Sequence, residues 1–184
     1  MFSRKNRIQS APLVKVFFAI ATSTEGYHRA CEDRLQEEFG PLGSRSALYE
    51  FSKFSQYYDV EMTGPVWKYL VSLAEPCPAD QIIPIKLSVE KIQEEFAVER
   101  EGAVCRTVNI DPGYVNGWQV VLSTVKNYGH RLYMGQGIFC EVTLLFRKRR
   151  FEALPWTFSD YSSALVLDYL TELRGEFRDQ ISGG

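Results

Sequence analysis

Apolar positions recur along this chain in two different periods, and each period predicts a different kind of element. Residues 14–20 are rich in β-branched and aromatic side chains, which predicts a buried strand. Residues 25–39 carry apolar side chains near helical spacing and stop at Gly40-Pro41, which predicts a helix with Thr24 as its N-cap.

After residue 39, the pattern of apolar and polar residues predicts mostly strands. Further strands are predicted at residues 47–51, 57–62, 104–110, 130–134 and 138–147, and further helices at residues 89–99, capped by Ser88, and 164–177. Two segments leave strand and helix open, residues 66–74 and 116–125. Asp111-Pro112-Gly113 is interpreted as a turn, because successive Pro and Gly favour type II turns.

This order of elements predicts an α+β fold with a mainly antiparallel sheet and helices on one face. Ferredoxin-like topology is the leading expectation. Residues 1–12 are polar and are expected to form a flexible N-terminal segment, whereas residues 13–180 are expected to form a single domain. No repeat or linker interrupts that span.

The net charge and the cysteines indicate which binding partners and which cellular compartment to expect. The net charge is -2, without the basic excess typical of proteins that bind nucleic acid or anionic membranes, so neither partner is expected. Four scattered cysteines without metal-ligand spacing indicate free thiols in a reducing, cytoplasmic compartment. The aromatic content of 14% indicates either an aromatic core or an aromatic-lined pocket, and both alternatives stay open.

Familiar catalytic motifs are missing from the sequence. It contains no GxxxxGK[ST], no GxGxxG after the first strand, no HExxH and no G-x-S-x-G. His28 and His130 are the only histidines, which excludes a histidine-rich metal centre. The sequence therefore assigns no metal and no cofactor, and it leaves open whether the protein is an enzyme.

One region is unusual in placing polar residues within apolar strands. Its polar candidates are Asn109, Asp111, Lys126, His130, Arg131, Tyr133, Glu141 and Thr143. Alternation in the strand at 138–147 places Glu141 and Thr143 on one face and predicts that the opposite face is core. If the first face is covered, Glu141 needs a partner such as Arg131 or His130, and the cluster becomes a candidate site.

Several segments carry a resemblance to a known family. They are NIDPGY at 109–114, HRLYMGQGIFCEVTL at 130–144 and LPWTFSDY at 154–161, with YYDVEM at 57–62 and PIKL at 84–87 as earlier blocks. These segments resemble the bacterial domain of unknown function 4416 family, which implies a small, self-contained bacterial protein. Some members carry a loose GTP-binding label, and the nearest match here to a guanine-reading motif is VKNY at 125–128, which keeps only the lysine.

Two functional hypotheses follow. The first is a pocket for a small anionic ligand, a nucleotide or phosphorylated metabolite, in which cations bind the anion and aromatic rings stack on the ligand. Its residues are Lys86, Lys126, His130 and Arg131 for charge, Tyr114, Tyr133 or Trp156 for stacking, and Asp111 and Glu141 as cation partners, metal ligands or general base. The alternative is a non-catalytic protein-interaction module with an aromatic surface around Trp156, in an exposed loop with Asp160 and Tyr161.

Overall fold

The structure, a computed structural model, describes residues 10–100 and 102–183. Its strands are β1 (Leu13–Thr22), β2 (Leu42–Arg45), β3 (Tyr49–Glu50), β4 (Trp67–Leu73), β5 (Cys77–Pro78), β6 (Val98–Arg100), β7 (Ala103–Cys105), β8 (Val108–Val115), β9 (Gln119–Thr124), β10 (Leu132–Gly135), β11 (Ile138–Arg147) and β12 (Arg150–Ala153). Its helices are α1 (Tyr27–Phe39), α2 (Ile82–Glu95) and α3 (Ala164–Ser182). Most of the N-terminal segment expected to be flexible, residues 1–9, lies outside the described residues.

The main sheet has the strand order β10-β11-β9-β8-β1-β4-β2, and each neighbouring pair along this path is antiparallel. Strands β3, β5 and β12 pair at its sides, and β6 and β7 form a separate hairpin. This arrangement confirms an α+β fold with a mainly antiparallel sheet. The two open segments resolve as strands β4 and β9.

The helices cover both faces of the sheet, so the expectation of helices on one face is wrong. Side chains alternate along β1, where Phe17 packs in one apolar cluster with Leu170 of α3. Phe18 packs in the opposite cluster with Leu35 of α1 and Val89 of α2. The continuous apolar run in β1 reflects this two-sided burial. Neither α3 nor any other helix in the described part of the chain is long and apolar enough to cross a membrane.

Local hydrogen bonds explain where elements differ from their predicted bounds. The strand predicted at 57–62 is a series of turns, because Ser52 Oγ donates to Asp59 Oδ1 at 2.6 Å and the Met62 amide bonds back to a carbonyl four residues earlier. Helix α2 begins at Ile82 rather than after Ser88, since Pro84 lies in the first turn, where no amide hydrogen is needed. The N-cap of α1 is Gly26 at φ 83°, not Thr24.

Strand β8 continues through Asp111-Pro112-Gly113, so the predicted turn is wrong. The Ile110 amide points away from β1 and donates to the Gln93 side chain at 2.7 Å. Pro112, two residues later, faces the same side of β8 and has no amide hydrogen that needs a partner there. A side chain at Gly113 would lie 2.6 Å from the Val121 carbonyl oxygen. Glycine therefore permits the close approach of β9 at this point.

Strands β8 and β9 pair over only three positions, from Gly113 opposite Leu122 to Val115 opposite Val120. Before Gly113, β8 remains paired with β1 as far as Val108, while β9 remains paired with β11. The two strands therefore diverge, and the sheet opens between them.

All four cysteines are free thiols, and Cys31 and Cys140 are buried. Burial raises the pKa of Cys31 to about 12 and that of Cys140 to about 11. Both thiols therefore stay protonated near neutral pH, which disfavours a nucleophilic role.

Candidate functional site

A cleft of about 280 Å³ lies where β8 and β9 diverge, on the face of the sheet that α3 covers. Five cationic side chains line it, Lys68, Lys86, Arg106, Lys126 and Arg131. Four carboxylates also line it, Glu90, Asp111, Glu141 and Asp160, together with the aromatic rings of Phe51, Tyr57, Tyr58, Phe158 and Tyr161. The cleft is therefore concave, charged and aromatic at once, as ligand sites commonly are.

A buried ion pair connects β4 to the segment before α3. Lys68 Nζ lies 2.7 Å from Asp160 Oδ2, and Tyr49 donates its hydroxyl to the same oxygen at 2.9 Å. The ammonium also lies 4.9 Å from the ring centroids of Phe51 and Tyr161. Burial and the Asp160 charge raise the pKa of Tyr49, so this phenol remains a donor.

Glu141 of β11 anchors a second buried network. Its Oε2 atom accepts from Arg131 Nε at 2.6 Å and lies 2.9 Å from His130 Nε2. The His130 ring stacks on Trp156 with centroids 5.3 Å apart, and the indole donates to the Val142 carbonyl. The prediction that a covered Glu141 is partnered by Arg131 or His130 is confirmed, since it is partnered by both.

A β-bulge explains how Glu141 comes to face the cleft beside core residues. The register with β9 shifts between Val142 and Leu144, so Thr143 is the extra residue. Val142 packs on the α2 side, whereas Leu144 packs on the α3 side. Strict alternation predicts that Val142 and Leu144, both on the face opposite Glu141, share one core. This prediction is wrong, because alternation ends at the bulge.

Strand β8 supplies a third polar network along the cleft wall. Asn109 Oδ1 accepts from Tyr58 at 3.0 Å and from Arg106 Nη1 at 2.8 Å. The Asn109 amide nitrogen donates to Asp111 Oδ2 at 2.7 Å. Asn109 thereby fixes both a cation and a carboxylate that line the cleft.

Lys86 and Lys126 reach the cleft from opposite sides. Lys86 belongs to α2, on the far face of the sheet, and its Nζ atom lies 2.6 Å from Glu90 and 3.7 Å from Asp111. Lys126 follows β9 and donates to the Tyr57 hydroxyl at 3.0 Å. This hydrogen bond, together with the Lys126 charge, lowers the pKa of Tyr57.

The structure brings six of the predicted ligand-binding residues to the cleft: Lys86, Asn109, Asp111, Lys126, Arg131 and Glu141. His130 and Trp156 support Glu141 from behind. Thr143 is buried at the bulge, Tyr114 packs near Ile82 on the opposite face of the sheet, and Tyr133 is 63% exposed beside Phe139.

Sequence reasoning missed Lys68, Arg106, Asp160 and Tyr161 as cleft residues. Asp160 and Tyr161 are each 1% exposed, so the expectation of an exposed loop at these positions is wrong. One signal was available, because Lys68 is the only charged residue within the apolar run at 66–74. A charge in such a run needs a buried partner or faces a site.

No group of three histidine, cysteine or carboxylate side chains suited to a metal ion occurs among the described residues. Asp111 and Glu141 therefore do not join such a group, although each was considered as a metal ligand. The arrangement instead supplies hydrogen-bond donors, acceptors and aromatic surface.

The chain was also compared with known proteins. No curated protein and no solved structure matches it. A family model described as domain of unknown function (DUF4416) matches residues 12–177, which is most of the chain. The resemblance in the sequence is confirmed, and the chain belongs to the DUF4416 family.

Proposed function

We propose that the cleft between β8 and β9 binds a small anionic ligand, such as a nucleotide or a phosphorylated metabolite. The observation that carries the proposal is a pair of cations, Arg106 and Lys126, whose side chains form no hydrogen bond to a carboxylate among the described residues. Arg106 lies 3.7 Å from Glu61, its carboxylate partner, and Lys126 contacts the Tyr57 hydroxyl and forms no ion pair within the described ranges. Both cations line the same cleft.

The paired cations serve the site indirectly. Lys68 and Arg131 each hold a buried carboxylate at 2.7 Å or less, and Lys86 is bonded to Glu90 at 2.6 Å. A ligand would have to compete with these contacts for the same donors. Arg131, with His130, therefore orients Glu141, whereas Arg106 and Lys126 bind the anion.

Exposed aromatic rings beside these cations support the binding of a ligand body. Tyr57 is 65% exposed and Phe158 is 48% exposed, and both line the cleft. Rings of this kind offer a stacking surface for a base or for the apolar face of a sugar.

We expect Arg106→Gln and Lys126→Gln each to weaken the binding of a phosphorylated ligand about ten- to a hundredfold, because each removes one charge-assisted contact. Native mass spectrometry of the freshly purified protein would identify a co-purifying ligand, and calorimetry with inorganic phosphate, ribose 5-phosphate and AMP would measure affinities. Lys91→Gln and Arg178→Gln are matched controls, since both residues are exposed and lie outside the cleft. The proposal fails if no small molecule co-purifies and none of these anions binds at millimolar concentration.

Two finer features are proposed with this function. The chain order β1-α1-β2-β4-α2-β8, with the antiparallel spatial order β8-β1-β4-β2, supports a ferredoxin-like unit that β9–β12 and α3 extend. The free thiols of all four cysteines support a location in a reducing compartment, the cytoplasm of a bacterium.

A second candidate function is protein interaction through the edge strand β10. This strand ends the path of the main sheet, and Leu132, Tyr133 and Met134 in it are 72%, 63% and 45% exposed. An exposed apolar edge strand offers backbone groups and side chains to another strand. Trp156 contributes less than expected, because its ring already stacks on His130.

A second copy of this chain is the simplest partner for that edge, since an edge strand can pair antiparallel with itself. We expect the parent to form dimers in sedimentation velocity and Leu132→Lys to shift them to monomers. Val60→Lys is the control, because Val60 is 89% exposed and lies outside β10. A parent that stays monomeric at all concentrations would contradict this candidate.

A further inference from the structure

Two buried polar atoms of residues that line the cleft have no hydrogen-bond partner among residues 10–100 and 102–183. The first is Oε1 of Glu141, whose side chain is 1% exposed. The second is the hydroxyl of Tyr161, a residue that is also 1% exposed. Both residues line the cleft. Buried polar atoms are nearly always satisfied, so two such atoms in one cleft indicate a group that binds between them.

The exposed and the buried part of the cleft surround their tyrosines differently. At the exposed Tyr57, the hydrogen bond from Lys126 and the charge of Arg106 lower the pKa of the phenol. At the buried Tyr161, desolvation and the charges of Asp160, Asp111 and Glu141 raise the pKa. The mouth therefore favours an anion, whereas the interior disfavours one and offers acceptors instead.

The hydrogen-bond donors and acceptors of Glu141 and Tyr161 indicate which ligand group could bind to both. Ionised Glu141 only accepts hydrogen bonds, and the neutral phenol of Tyr161 has a hydrogen to donate. A hydroxyl group meets both needs, because it donates to the carboxylate and accepts from the phenol. An ammonium group would satisfy Glu141 but would leave the phenol hydrogen without an acceptor.

We propose that the ligand is a phosphorylated polyol or sugar, whose phosphate binds Arg106 and Lys126 and whose hydroxyl bridges Glu141 and Tyr161. This inference rests on the anion-binding function proposed above and specifies the class of ligand. The Asp111 carboxylate, also in the cleft, offers a further acceptor for hydroxyl groups. The aromatic walls suit the apolar faces of a polyol chain or sugar ring.

Three probes of similar size test the inner group by calorimetry: n-propyl phosphate, glycerol 3-phosphate and 3-aminopropyl phosphate. We expect glycerol 3-phosphate to bind at least about tenfold more tightly than propyl phosphate, since one of its two hydroxyls gains a contact with a charged acceptor. The aminopropyl compound is expected to bind more weakly than glycerol 3-phosphate.

Tyr161→Phe tests the bridge directly, because it removes only the hydroxyl. We expect it to reduce the preference for glycerol 3-phosphate about two- to tenfold, with an unchanged affinity for propyl phosphate and an unchanged or higher Tm. Tyr169→Phe is the matched control, since Tyr169 is a buried tyrosine outside the cleft whose hydroxyl donates to the Ser44 carbonyl. It should lower Tm and leave the preference intact.

The outcomes separate this inference from the proposed function. Equal binding of propyl phosphate and glycerol 3-phosphate overturns the hydroxyl bridge and leaves anion binding standing. A preference that persists in Tyr161→Phe overturns the role of Tyr161, and tighter binding of the aminopropyl compound shows an ammonium ligand instead. If none of the three phosphates binds while AMP or a co-purifying anion does, the polyol or sugar ligand is overturned alone. If no anion binds at all, the anion-binding function itself is overturned.

Discussion

Asp160→Asn is expected to lower the free energy of unfolding by about 3–5 kcal/mol, because it leaves the Lys68 ammonium buried without its counter-ion. The side chains of Lys68 and Asp160 are 7% and 2% exposed, so water cannot replace the lost charge. Asparagine keeps the shape of the side chain and an oxygen that can accept from Tyr49. Urea denaturation of the parent and the variant measures the difference.

Two further variants isolate the charge. Tyr49→Phe removes only the hydrogen bond to Asp160, and we expect it to lower the free energy of unfolding by about 1 kcal/mol. Adding Lys68→Met to Asp160→Asn removes the unpaired ammonium, and a methionine thioether can contact the rings of Phe51 and Tyr161. The double variant should therefore be more stable than Asp160→Asn alone. A double variant that is less stable would show that the cation itself is required for folding.

The sequence predicted those elements whose pattern is local. The apolar run of β1, the strands β10 and β11, and helix α3 all show a clear period, and the structure contains each of them. Residues 111–113 were misassigned as a turn because pairing with the neighbouring strand β1 decides their conformation. Pro112 suits a strand because it is not paired with β9, so its missing amide leaves no ladder hydrogen bond unmade. Nothing near Pro112 in the sequence reveals where that pairing begins.

For the candidate site, too, the sequence identified the residues that stand out locally and not those brought together by packing. The sequence identified the polar residues of β8, of β11 and of the segment between β9 and β10. They lie close together in the chain and stand out among apolar strand residues. The partner of Lys68 was not identified, since Asp160 lies 92 positions away and is surrounded by residues typical of an exposed loop. Only the packing of the segment before α3 against β4 brings the two together.

For the second network, we expect both Glu141→Ala and Arg131→Ala to lower the free energy of unfolding by about 3–5 kcal/mol, because each leaves a buried charge without its partner. The Glu141 and Arg131 side chains are 1% and 9% exposed, and Nε lies 2.6 Å from Oε2. Replacing both residues, as Glu141→Leu with Arg131→Met, should recover more than half of the loss, since an apolar pair needs no counter-charge. Thermal and urea unfolding of the three variants beside the parent measure this coupling. If Arg131→Ala instead keeps the stability of the parent and loses only phosphate binding, Arg131 contacts the ligand directly and is not held by Glu141.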